Sequence, residues 1–216
     1  MDLRFLTLKA GLLLALAVPL AGNPARAAEP CQLAVLGDSL TAGYGVPTAA
    51  SLPAQLEAAL RKEGLDCKVT DAGVSGDTSA GGAARLDWVL ADKPTHLLVE
   101  LGGNDALRAL PLDQLRRNLD DILTRAQAAG VKVMLAGMLP PPNLGQDYFA
   151  GFAKVYTDLA ARHHVPLYPF VLEGVVFQSG LMQPDGIHPN ERGVTEIVRR
   201  MLPTVTAWLR GQAPTG

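Results

Sequence analysis

Four short blocks of this chain carry side chains that could do chemistry. They are Gly37-Asp-Ser-Leu40, Gly73-Val-Ser-Gly-Asp-Thr78, Gly102-Gly-Asn-Asp105 and Asp185-Gly-Ile-His-Pro189. A serine alone is a poor nucleophile. It needs a base, a group to orient the base, and donors for the oxyanion that forms. His188 suits the base, because a neutral imidazole accepts a hydroxyl proton near pH 7. Asp185 stands three residues earlier. Gly186 allows a tight turn between them, and Pro189 favours an extended His188. The Asp185 carboxylate could then reach the other imidazole nitrogen and fix its tautomer, as in a Ser–His–Asp triad. Three donors could meet the oxyanion: the backbone N–H of Ser39, the backbone N–H of Gly76, and the side-chain amide of Asn104. Asp38 and Asp105 are expected to hold their loops by hydrogen bonds.

Such residues must be positioned by a scaffold, and the chain shows one. Short apolar runs at 32–36, 68–71, 95–101, 131–136 and 165–168 suit strands buried on both faces. Longer segments with helical spacing lie between them. Ser51 can cap a helix carrying Leu52, Leu56, Ala59 and Leu60, ending at Gly64. Leu112, Leu115, Leu119, Ile122, Leu123 and Ala126 form one stripe, stopped by Gly130. Asn190 can cap a last helix, within which Pro203 should kink or split the pattern. Alternating strands and helices predict an α/β fold, a three-layer sandwich around a parallel sheet. In such sheets ligands bind beyond the carboxyl ends of the strands. The first three blocks directly follow predicted strands, and the fourth lies beyond the fifth.

The bulk properties narrow the function classes. The chain has 216 residues, enough for one domain with a full core. Arg4 and Lys9 precede the apolar run 10–21, and Ala25-Arg-Ala27 offers a small-x-small cleavage site. Residues 1–27 therefore read as a secretory signal peptide, with an uncleaved anchor as the lesser alternative. Residues 28–216 form the single domain, placed in the periplasm or outside the cell. Setting residues 1–27 aside removes Arg4, Lys9, Arg26 and Asp2 from 19 basic and 21 acidic residues, leaving a net charge of −4. No basic stripe marks a nucleic-acid partner. No other run is long and apolar enough for stable membrane insertion. No carboxylate or cysteine stands at ligand spacing near His96, His163 or His164, so no metal is expected. His96 reads as a core or edge histidine, and His163-His164 as a helix end.

Export places Cys31 and Cys67 where disulfides persist. Each stands just before a predicted strand. If the two strands are parallel neighbours, both cysteines lie at one end of the sheet, and a structural disulfide is expected. Two free thiols are the alternative.

The four blocks resemble those of the SGNH hydrolases, the GDSL family of serine esterases and lipases. The strings Val74-Ser-Gly-Asp-Thr-Ser79, Val99-Glu-Leu-Gly-Gly-Asn-Asp105 and Asp185-Gly-Ile-His-Pro-Asn190 are similar to its bacterial periplasmic branch of thioesterases, lysophospholipases and arylesterases. The resemblance covers essentially the whole chain after residue 27. It implies a flavodoxin-like sandwich with five parallel strands in the order 2-1-3-4-5. It implies Ser39 as nucleophile, Asp185 and His188 as its partners, and Ser39, Gly76 and Asn104 as the oxyanion hole. The expected activity is hydrolysis of small acyl esters or thioesters through an acyl-enzyme, with no cofactor and a monomer favoured. Leu107 and Leu110, in the apolar segment after Asn104, are expected to line or cover the acyl chain. Two other functions compete. A carbohydrate O-acetyl esterase would want aromatic platforms, and only 5% of residues are aromatic. A non-catalytic flavodoxin-like binding module would have no need of Ser39 and His188 together.

Overall fold

The computed structural model describes residues 30–212. The expected signal peptide, residues 1–27, lies outside them. Five strands form one sheet: β1 (Cys31–Gly37), β2 (Cys67–Gly73), β3 (His96–Glu100), β4 (Lys132–Ala136) and β5 (Leu167–Tyr168). All pairings are parallel, and the order is β2-β1-β3-β4-β5. Every residue of β3 is buried, as are Leu33 to Gly37 of β1. These central strands have helices on both faces, which is why their sequences are apolar without alternation.

The long helices are α2 (Leu52–Lys62), α3 (Ser79–Ala91), α5 (Leu112–Ala128), α6 (Gln146–His163) and α7 (Glu191–Leu209). Helix α2 packs against α7, while α3 packs against α5 and α5 against α6. These two groups are the outer layers of the sandwich. Local sequence sets the helix ends. Ser51 Oγ accepts from the Ala54 N–H, and Asn190 Oδ1 accepts from the Arg192 and Gly193 N–H groups. Pro203 does not split α7. Pro203 and Arg199, whose carbonyl loses its helical donor, both lie on the exposed face. Solvent can serve that carbonyl, and the buried stripe of Val194, Ile197, Met201 and Val205 continues unbroken.

The strand order reverses between β1 and β3, since the chain leaves β1 towards β2 and returns on the other side. A crevice at the carboxyl ends of the strands follows from that reversal. Cys31 and Cys67 are the first residues of β1 and β2, at the opposite end. They are register partners with Cα atoms 4.5 Å apart, and they form the expected disulfide.

Candidate active site

The blocks after β1 and β3 are not plain loops. Each opens a short helix, α1 (Ser39–Ala42) and α4 (Gly103–Leu107). Asp38 caps α1, its Oδ1 accepting from the Leu40 N–H at 3.0 Å. Ser39 is thus the first helical residue, with its side chain at the end of β1. Gly37 makes room for this turn. A Cβ there would stand 2.0 Å from Thr41 Oγ1.

His188 arrives from the loop before α7. Its Nε2 lies 2.9 Å from Ser39 Oγ, across 149 residues of sequence. Its Nδ1 lies 2.6 Å from Asp185 Oδ2. Asp185 Oδ1 accepts from the backbone N–H groups of Ile187 and His188, at 2.9 and 3.0 Å. Gly186, at φ +69°, makes the turn that allows this. These bonds hold the Asp185 carboxyl down to about 2, the His188 backbone N–H contributing most. An ionised carboxylate only accepts, so Nδ1 carries the proton and Nε2 is bare. Ser39 therefore donates to His188.

The other parts of the site come from β2 and β3. Asn104 Nδ2 donates to Asp38 Oδ2 at 3.1 Å and to the Asp77 carbonyl at 2.9 Å. Among the described residues, the backbone N–H groups of Ser39 and Gly76 have no hydrogen-bond acceptor. Arg108 Nη2 donates to the Gly76 carbonyl at 2.8 Å. Asp105 accepts from Ser79 N–H and Ser79 Oγ, joining α4 to the start of α3. Asp38 and Asp105 thus hold the backbone as expected.

Several supporting residues escaped sequence reasoning. Arg85 donates to the carbonyls of Ala72 and Gly37 and to Asp77 Oδ2, fixing the ends of β1 and β2 together. Gln183 Nε2 donates to the carbonyls of Tyr44 and Pro189, and the Gln183 N–H donates to the His188 carbonyl. The Tyr44 ring lies 4.6 Å from the His188 ring. An aromatic side chain therefore sits at the site. The Arg85 bond to Gly37 and the Gln183 bond to Tyr44 reach backbone far away in sequence, and such contacts leave no periodic or motif signal.

Leu107 is 51% exposed and Leu110 is half-buried. Tyr44, Val74 and Ile187 are also exposed, each close in sequence to a site residue or stacked on one. His96 is buried at the start of β3, edge-on to Trp208 at 5.1 Å. His163 pairs with Asp120 at the end of α6. Neither is hydrogen-bonded to the four blocks. Among the described residues, no cluster of three or more His, Cys, Asp or Glu is placed to hold a metal.

Residues 35–195 match the GDSL-like lipase/acylhydrolase family. The chain is 44% identical over 174 residues to the esterase TesA of Pseudomonas aeruginosa, spanning 80% of this chain and 87% of that one. It is 39% identical over 188 residues to the thioesterase 1/protease 1/lysophospholipase L1 of Escherichia coli, spanning 87% of this chain and 85% of that one. The solved structure of a psychrotrophic esterase, EstA from Pseudoalteromonas, inhibited by monoethylphosphonate, matches with a TM-score of 0.79 at 33% identity. That match covers 83% of this chain and 98% of the esterase. By sequence match over most of its length and by fold, this chain belongs to the GDSL-like lipase/acylhydrolase family.

Proposed function

We propose that this protein is an exported serine hydrolase of carboxylic esters and thioesters, working through an acyl-enzyme on Ser39. The observation that carries the reading is the continuous relay Ser39 Oγ, His188 Nε2, His188 Nδ1, Asp185 Oδ2, with both links at hydrogen-bond distance. Ser39 Oγ attacks the acyl carbonyl as its proton passes to His188 Nε2. The imidazolium that forms is stabilised by ionised Asp185. The oxyanion meets the free N–H groups of Ser39 and Gly76 and the Asn104 amide. The tetrahedral adduct collapses, and His188 returns the proton to the departing alkoxide or thiolate. Water then attacks the acyl carbonyl as its proton passes to His188, and the second adduct releases the acid as His188 returns that proton to Ser39 Oγ. None of these steps calls for a metal or an organic cofactor.

Tyr44, Val74, Leu107 and Ile187 are exposed apolar side chains in or close to the blocks that carry the site, and they support an apolar acyl group as the recognised part of the substrate. The names of the relatives, an esterase and a thioesterase/lysophospholipase, agree with that class. The disulfide and the export-like first 27 residues support a periplasmic or secreted location. A sugar ester is less well supported. Trp88, an exposed aromatic, borders a groove with Gln32, Thr70, Asp71 and Asp92 rather than with the four blocks. Hydrolysis of p-nitrophenyl esters and matched acyl thioesters tests the reading. Both should turn over, and Ser39→Ala should abolish both while leaving the melting temperature within a few degrees. Turnover that survives Ser39→Ala would refute it.

A further inference from the structure

We propose that Asp38 is a positioning residue, whose carboxylate holds the Asn104 amide with its N–H end towards Ser39. The inference rests on the oxyanion role given to Asn104 above. Asp38 is only 2% exposed, yet both of its oxygens are engaged. Oδ1 takes the Leu40 N–H and so caps the helix that Ser39 begins. Oδ2 takes an amide hydrogen from Asn104. One side chain thus links the element carrying the nucleophile to the element carrying the amide.

The linkage decides which end of the amide faces the site. Asn104 Nδ2 lies between two acceptors, Asp38 Oδ2 at 3.1 Å and the Asp77 carbonyl at 2.9 Å. Turned end for end, the side chain would aim its own carbonyl oxygen at both. Acceptor would face acceptor in a partly buried place, at the cost of unmade hydrogen bonds. Both amide hydrogens are engaged before substrate arrives. A forming oxyanion must share one of them, so the orientation set beforehand decides whether it meets a donor or an acceptor.

Asp38 holds the amide this way only as a carboxylate, which has no proton to give. Burial raises its pKa to about 6, opposed by the Leu40 N–H, by Asn104 and by His188. The ionisable groups that bear on it are Glu100 and Asp105, besides His188. Glu100 is wholly buried beneath the turn, accepting from Thr41 Oγ1 at 2.8 Å and from the Asp38 N–H at 3.4 Å. Burial and the Asp38 charge push its pKa well above the carboxylate range. Once protonated, Asp38 can donate to the carbonyl end of Asn104, and the reversed amide becomes available.

Asp38→Asn isolates the effect. Its carbonyl oxygen can still cap α1. Its NH2 replaces Oδ2 and meets the NH2 of Asn104, donor against donor. We expect kcat for p-nitrophenyl butyrate to fall roughly 10- to 100-fold with KM changed less than about threefold. Asn104→Ala alone should cost about 10²–10³ in kcat. Asp38→Asn added to Asn104→Ala should then cost less than about twofold more, since its target is gone. The ratio of wild-type to Asp38→Asn kcat should also shrink as pH falls through about 6. Asp38→Ser, which caps α1 but cannot reach Asn104, enters the same cycle if Asp38→Asn does not fold. Losses that multiply in the double variant, or a ratio flat with pH, would overturn the positioning role. A loss below about tenfold for Asn104→Ala would instead remove the oxyanion reading beneath it.

Discussion

Asp185 holds His188 twice: Oδ2 bonds the His188 ring at 2.6 Å, while Oδ1 accepts from the His188 backbone N–H at 3.0 Å. One carboxylate therefore fixes both where the imidazole starts and which way it points. Asp185→Asn replaces an acceptor-only group with one that can also donate. The wrong tautomer then becomes available, with the Nε2 proton facing Ser39. We expect kcat to fall about 10²–10⁴-fold with little change in KM. Steady-state kinetics at pH 8 checks this, and a loss under about fivefold would argue against the orienting role.

Leu107 stands three residues after Asn104 and is 51% exposed. If its side chain covers an acyl chain, truncation should cost long chains and spare short ones. Leu107→Ala should lower kcat/KM about tenfold for octanoyl and longer esters, on the scale of burying one such side chain. Acetyl esters should change little. A uniform effect from acetate to laurate would confine Leu107 to packing.

His96 is buried at the start of β3, with Nδ1 at 2.8 Å from Thr95 Oγ1 and no partner for Nε2. Burial, with Lys132 nearby, lowers its pKa to about 4 from 6.5. The native state thus prefers the neutral ring and binds fewer protons than the unfolded chain between those values. The stability this carries is present above pH 6.5 and is lost as pH falls through about 4. His96→Gln cannot take up that proton. The melting temperature of the wild type should therefore fall by about 5 °C relative to His96→Gln between pH 7 and pH 4. Asp38 and Glu100 titrate in both proteins and cancel from the comparison. A difference constant with pH would contradict a neutral buried His96.

The Cys31–Cys67 bond joins residues 36 apart in sequence. A cross-link over that span restricts the unfolded chain by about 4 kcal/mol in the chain-entropy model. Replacing both cysteines by serine should lower the melting temperature by about 10 °C. Activity at 20 °C should survive, because Ser39 lies at the other end of the strands. Loss of activity with an unchanged melting temperature would reverse that assignment.

Much of this architecture was legible because burial writes itself into sequence. The apolar runs located all five strands, although β2, at the sheet edge, buries only Cys67 and Val69, and β5 shrinks to two residues, Leu167 and Tyr168. The caps at Ser51 and Asn190 stand where residue type put them. Helices α1 and α4 were not legible, since four or five residues cannot display a 3.6-residue period. The spacing Asp185-Gly-Ile-His188 was informative because both partners share one loop. The contacts of Arg85 with Gly37, of Gln183 with Tyr44 and of Asp38 with Asn104 join segments distant in sequence, and no local pattern encodes them. Pro203 leaves α7 unsplit for a plain reason: its helix has an exposed face, and the lost hydrogen bond falls there.

The central claim is that Ser39 is a nucleophile activated by His188. Fluorophosphonate labelling followed by peptide mass mapping tests it most directly. One adduct should form, on Ser39, and it should be absent from Ser39→Ala and strongly slowed in His188→Ala. A wild-type protein that stays unlabelled, or one modified at a different serine, would contradict the claim.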